Sequence, residues 1–232
     1  MKKLIYVPII HTADTDLGSL APDVEEKASQ LLGERWQRHK KTLNEYWQGI
    51  ENYFETMNLM GVKIFQDALP AGGNEAEIII DKLAETGSPN YRLLKKFVGQ
   101  GAILQKTEDF GLLKQEYQLT KELLLHRSLF WLIFTFLNYK FKKGRLLEAR
   151  DRYIAGQINQ NLNEAETGVC FLGAYHQVLP KLSKAINVIQ VKRPGKLREY
   201  YRKLIANTET KQVNHLADYL KQPVKRGVLR KL

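Results

Sequence analysis

Five short apolar runs separated by amphipathic stretches constrain this chain more than any other feature. They lie at residues 3–10 ("KLIYVPII"), 61–70 ("GVKIFQDALP"), 101–109 ("GAILQKTED"), 168–176 ("GVCFLGAYH") and 186–191 ("INVIQV"). Each is bounded by polar or turn residues and too short for an ordinary helix, which reads as a buried strand. Strands alternating with helices imply a mostly parallel sheet, since each crossover lays a helix over one of its faces. The pattern predicts an α/β fold: a mostly parallel sheet with helices on both faces, plus long helices.

The stretches between carry helical spacing. From Pro22 to about Met57, apolar residues including Leu32, Trp36, Leu43, Tyr46, Trp47, Ile50 and Phe54 recur every three or four positions as one stripe. His39 lies near that stripe and reads as a packed or surface-edge side chain. Asn74 with Glu77 has the form of a capping box opening a helix that stops at Gly87, and Ser88–Pro89 cap and begin the next. Residues 110–140 read as helical, with a strongly apolar second half. A separate helix from Leu146 to Leu162 carries Arg150 on the same side as Ile154 and Ile158. "PGKLREYYRKL" and "TKQVNHLADYLK" close the chain as helices. With no repeat or linker in view, a single domain over 1–232 is expected, helix 110–140 standing out from it and a basic helical tail at 192–232.

At 232 residues, 44% apolar and 26% charged, the chain can bury a substantial core. Its net charge of +11 attracts anions, much of the excess lying in the basic tail. A lone Cys170 excludes an internal disulfide and suits a reducing cytoplasm; within "TGVCFLGA" it reads as a buried, inert thiol. "MKK" followed by a short run that reaches Pro8 does not read as a signal peptide. The most membrane-like stretch, "LFWLIFTFLNY" at 129–139, falls short of the ~20 apolar residues that span a bilayer. It is expected to be buried in the domain or in a homodimer.

Function is argued from the strand ends. Parallel strands bring their carboxyl ends to one edge, where α/β proteins bind ligands. Here His11 follows the first strand, Asp67 ends the second, Glu108 follows the third and His176 the fourth. Arg150 begins from the same edge, on the helix that enters the fourth strand. Each has an ordinary structural alternative: His176 bonding backbone, Asp67 capping a turn, Glu108 favouring a helix N-terminus, Arg150 pairing with Glu148 or Asp151. Asp14, Asp16 and Ser19 read as loop and cap residues. Five ionisable groups at one rim point to a site.

The segment "LLEARDRYIAGQINQNLNEAETGVCFLGAYH" resembles the closing part of the Tiki/TraB-like proteins, in the broader group that includes the erythromycin esterases and ChaN-like proteins. In that group an arginine-bearing helix precedes a strand ending in G-x-x-H; the matches are Arg150 and "GAYH", Gly173 through His176. The other G-x-x-H corresponds to "PIIH", Pro8 through His11, without its glycine, and the acidic residue of the second strand to Asp67. The chain also resembles uncharacterised bacterial proteins sharing "IHT-x-AD", "YQDGLP" and "GS-x-N" elements.

The leading reading, which the resemblance permits, is a hydrolase of ester, amide or peptide bonds; its catalytic groups are His11, Arg150 and His176, with Glu108 added from the strand ends. A divalent metal held by His11, Asp67 and His176 is one version. The other is metal-free, with His11 as general base and Arg150 or His176 stabilising an oxyanion. The partner is then a small-molecule or peptide substrate. Against this stands a binding module for an anionic ligand, nucleotide or nucleic acid, in which the basic tail supplies charge and Tyr200, Tyr201 and Tyr219 stacking surfaces. Haem or another ligand on the histidines is a third implication of the ChaN-like relatives.

Overall fold

Central in the computed structural model is β4 (Thr167–Gly173), flanked by β1 (Lys2–Ile9) on one side and β2 (Lys63–Gln66) on the other. β3 (Ile103–Gln105) lies beyond β2, and β5 (Ile186–Gln190) beyond β1, so the order is β3-β2-β4-β1-β5. All pairings are parallel, as the alternation of strands and helices predicts. The structure describes residues 1–9, 26, 29–30, 32–125, 129–206 and 210–224, with backbone alone at 120, 122–125, 129–143 and 210.

Alternation along the strands sorts the core into two layers. Ile5, Val7 and Ile9 of β1, Ile64 of β2, and Val169 and Phe171 of β4 contribute to one layer. It is completed by α1 (Glu34–Phe54), α2 (Gly73–Glu85), α3 (Pro89–Gly99), α6 (Pro194–Ile205) and α7 (Thr210–Lys221). The expected stripe buries Trp36, His39, Leu43, Tyr46, Trp47, Ile50 and Phe54 of α1. The rings of Trp47, Phe54 and Phe97 all lie 6.1–6.5 Å from that of Phe171.

The opposite layer is narrower. Leu4, Tyr6, Phe65, Cys170 and Leu172 cluster with Ile154, Ala155, Ile158 and Leu162 of α5 (Leu129–Asn161). Gly168 is fitted to this contact: a Cβ there would lie 3.1–3.3 Å from side-chain atoms of Leu4, Phe65 and Leu162. α4 (Phe110–Leu125) packs against α5. Cys170 is fully buried and free, and burial pushes its thiol pKa far up, consistent with an inert core residue.

Four local expectations are corrected. The stripe does not lie on one helix from Pro22: Gly33, at φ 53°, breaks it before α1, a conformation that costs glycine little. α2 starts at Gly73, with Gly72 as its N-cap and no side-chain cap bond, so Asn74 and Glu77 do not form the capping box. The Gly72–Gly73 pair lets the chain turn into the helix earlier; a Cβ at Gly72 would approach Lys106 N to 3.0 Å. Ser88 occupies the N-cap position before Pro89 but makes no side-chain cap bond. The helix expected from Leu146 is the second half of α5, which is 33 residues long and passes Gly144 unbroken.

Side chains of 129–139 lie outside the described ones, so the burial expected for "LFWLIFTFLNY" does too. Among the described residues, no helix is long and apolar enough to cross a membrane.

Candidate functional site

β2 ends one residue before Asp67, whose backbone N–H still donates to Phe171 O of β4 at 2.8 Å. Ala68 then takes φ 59°, an unusual value for a residue with a Cβ, and reverses the chain directly behind that carboxylate. The reversed loop captures the end of β3: the N–H groups of Thr107 and Glu108 both donate to Leu69 O at 3.0 Å. Gln66 N donates to Thr107 Oγ1 at 3.1 Å, tying the same two loops again. Backbone bonds thus seat the two acidic side chains side by side.

Arg150 reaches them from α5. Its Nε donates to both Glu108 oxygens, at 3.1 and 3.2 Å, and its Nη2 to Asp67 Oδ1 at 2.7 Å. Nη2 also bonds Glu108 Oε1, and Nη1 bonds Glu116 of α4. Asp67 Oδ2 accepts Gly173 N–H at 2.8 Å and lies 3.3 Å from His176 Nε2. The other ring nitrogen, Nδ1, is 2.6 Å from Asp151 Oδ1, while Asp151 Oδ2 accepts Gln177 N–H at 2.9 Å. Asp67, Glu108, Arg150, Asp151 and His176 are all buried.

Four carboxyls therefore face two cationic side chains, and the titration of Glu108, His176 and Arg150 follows from that imbalance. Burial pushes Glu108 up to about 7; hydrogen bonding from Arg150 opposes the rise and the charge of Asp67 adds to it. Burial disfavours the His176 imidazolium, but Asp67 and Asp151 outweigh it and push the ring up to about 10, so both nitrogens donate near neutral pH. For Arg150, too, burial opposes the charge, and Asp67, Glu108 and Glu116 more than restore it.

Asp67, Glu108, Arg150 and His176 thus meet at one rim and form one network. Arg150 pairs with neither Glu148 nor Asp151, its alternative surface partners; Glu148 bonds Arg152 and Lys181 instead. His11, with Asp14, Asp16 and Ser19, lies outside the described residues; Ile9, which ends β1, pairs with Gly173 beside the network. Two members were not foreseen. Asp151 reads in sequence as a surface partner of Arg150, and Glu116 as one more charge on a helix; only the packing of α4 and α5 brings them in.

Asp67, Glu108 and His176 each offer one ligand atom within 4.8 Å of the others, which fits a divalent cation in donor type and number. The bond from His176 Nδ1 to Asp151 also fits, being the second-shell arrangement that orients a ligating imidazole. Such a cation would displace Arg150 from the carboxylate oxygens it now bonds and would release the proton of His176 Nε2 to solvent.

Comparison with protein-family models, with curated proteins and with solved structures finds no match. The chemistry of the site rests on its own geometry.

Tyr200, offered above as a stacking surface, is core: it is 2% exposed, and its hydroxyl lies 3.1 Å from His39 Nδ1. Tyr219 is half-buried under Lys192, whose Nζ sits 5.1 Å from the ring centre.

Proposed function

We propose that this protein is a hydrolase of ester, amide or peptide bonds, with its site at the carboxyl edge of the sheet. The observation that carries the reading is the convergence of Asp67, Glu108 and His176, from the ends of three strands, around the Arg150 guanidinium. Buried charge at this density costs a fold more than apolar packing of the same volume, and such clusters concentrate where chemistry is done.

Roles follow from protonation. Glu108, titrating near neutrality, takes a proton from the attacking water. Arg150 stabilises negative charge developing on the carbonyl oxygen. His176, an imidazolium held between two carboxylates, supplies a proton to the leaving group. Asp67 and Asp151 hold that ring in place. His11 joins the site as base or ligand in the version that the Tiki/TraB-like resemblance implies. A divalent cation on Asp67, Glu108 and His176, when bound, supplies Lewis-acid polarisation and a water of lowered pKa. The single buried cysteine fits a reducing, cytoplasmic setting.

The test is a panel of activated esters, amides and short peptides, with metal analysis of the purified protein and assays before and after chelation. At least one class should turn over, and Glu108→Gln should lower the rate by about 10²–10⁴-fold, the range for losing a general base. No turnover of any class, with or without added Zn²⁺ or Mn²⁺, would overturn the reading.

A further inference from the structure

A cavity of about 410 Å³, lined by no residue of the strand-end network, lies between the first half of α1, the end of α6 and α7. Its lining carries five basic side chains, Arg35, Arg38, Lys41, Lys203 and Lys221, against two acidic ones, Glu45 and Asp218. Asp218 is engaged by Lys221 at 2.8 Å, and Lys203 lies 3.8 Å from Glu199. Arg38 and Lys41 are exposed residues of its lining.

The wall beneath this rim is different in kind. His39, Thr42 and Tyr200 are buried yet line the cavity, with His39 Nδ1 and the Tyr200 hydroxyl 3.1 Å apart. Thr42 Oγ1 donates to Arg38 O at 2.9 Å, which fixes the hydroxyl and leaves it an acceptor. Burial pushes the Tyr200 hydroxyl up to about 12, so it stays neutral. Leu204, Val213 and Ala217 supply apolar surface. A cationic mouth over a floor of apolar side chains and the buried edges of His39, Thr42 and Tyr200 matches a ligand with an anionic head and an uncharged body. The volume lies within the roughly 300–1,000 Å³ of small-molecule sites.

We propose that this cavity is a second ligand site, which takes a phosphomonoester of mononucleotide size with its phosphate at the Arg35/Arg38/Lys203 rim. Guanidinium groups suit this role because their donors match phosphate oxygens in pairs. The site draws on residues of α1, α6 and α7 and uses none of the strand-end network, so it stands whether or not the protein is a hydrolase.

Titration calorimetry on the full chain, with adenosine 5′-monophosphate, inorganic phosphate and a short single-stranded oligonucleotide as probes, tests it. The mononucleotide should bind one to one and more tightly than phosphate. Arg38→Gln and Lys203→Gln should each weaken it by at least about tenfold, as loss of a charge-assisted contact does. Lys82→Gln, on the exposed face of α2, removes the same charge elsewhere and should leave binding unchanged. Any of three results overturns the proposal: no saturable binding up to roughly millimolar ligand; equal losses in Lys82→Gln and the rim variants; or an oligonucleotide that binds far more tightly and ignores the rim variants.

Discussion

Phe171 and Leu172 are neighbours on β4, yet they enter two differently built halves of the molecule. Phe171 points into a layer closed by Trp47, Phe54 and Phe97, where aromatic contact does the stabilising. Leu172 belongs to the layer under α5, and at the carboxyl edge of the sheet beside that helix the apolar packing gives way to Asp67, Glu108, Arg150, Asp151 and His176. Burial is as deep in both, but in the first it removes apolar surface from water and in the second it desolvates charge. The α1 layer is built for stability. The strand-end network holds ionised groups at a depth where they perturb one another, which a fold selected for stability alone has no need of.

The sharpest break of this comparison pairs Phe171→Ala with Arg150→Met. Each should cost about 3–5 kcal/mol at pH 8, the first by cavity formation and the second by leaving carboxylates buried without their cation. Urea unfolding should separate them by pH. The Phe171→Ala loss stays constant, whereas the Arg150→Met loss shrinks as pH falls towards about 7, because Glu108 without Arg150 to hold it down takes up its proton at higher pH. A pH-independent Arg150→Met loss would mean that the network behaves like ordinary core.

A second effect, of at least comparable size, is expected in the wild type. His176 titrates at about 10 in the fold against 6.5 free, so its contribution is full below about pH 6.5 and is lost as pH rises towards 10. Glu108 titrates at about 7 against 4.5, so its ionisation between those values also lowers stability. Unfolding free energy should fall from about pH 4.5 to 10, and Glu108→Gln should flatten the acid half of that slope. A stability that rises with pH across this range would contradict the assignment of both groups.

The smallest effect is expected at the surface. Lys96 and Glu51 lie 2.9 Å apart but are both about half exposed, and Lys96→Ala should leave the melting temperature where it is. A clear drop would show that charge matters in both regions alike.

The sequence carried these two regions unequally. The layers were legible because strand alternation and the three-and-four spacing of α1 are direct records of which faces are buried. Asp67, Glu108, Arg150 and His176 were legible because parallel strands end together, so an ionisable group after each strand is a statement about place. Asp151 and Glu116 were not, since on helices a charged residue usually means solvent and only tertiary packing turned these two inward. The start of α2 was misread for a local reason: Asn74 and Glu77 have the right spacing for a cap, but Gly72 and Gly73 let the chain turn sooner. His11 lies outside the described residues.

The central claim, that the strand-end network exists for chemistry and not for stability, is tested most directly by measuring the melting temperature and the turnover of Glu108→Gln at pH 8. Because burial disfavours the ionised carboxylate, its neutral isostere should melt at least as high as the wild type while turnover falls by about 10²-fold or more. A variant that melts well below the wild type and turns over substrate at the same rate would contradict it, and would make Glu108 a structural partner of Arg150.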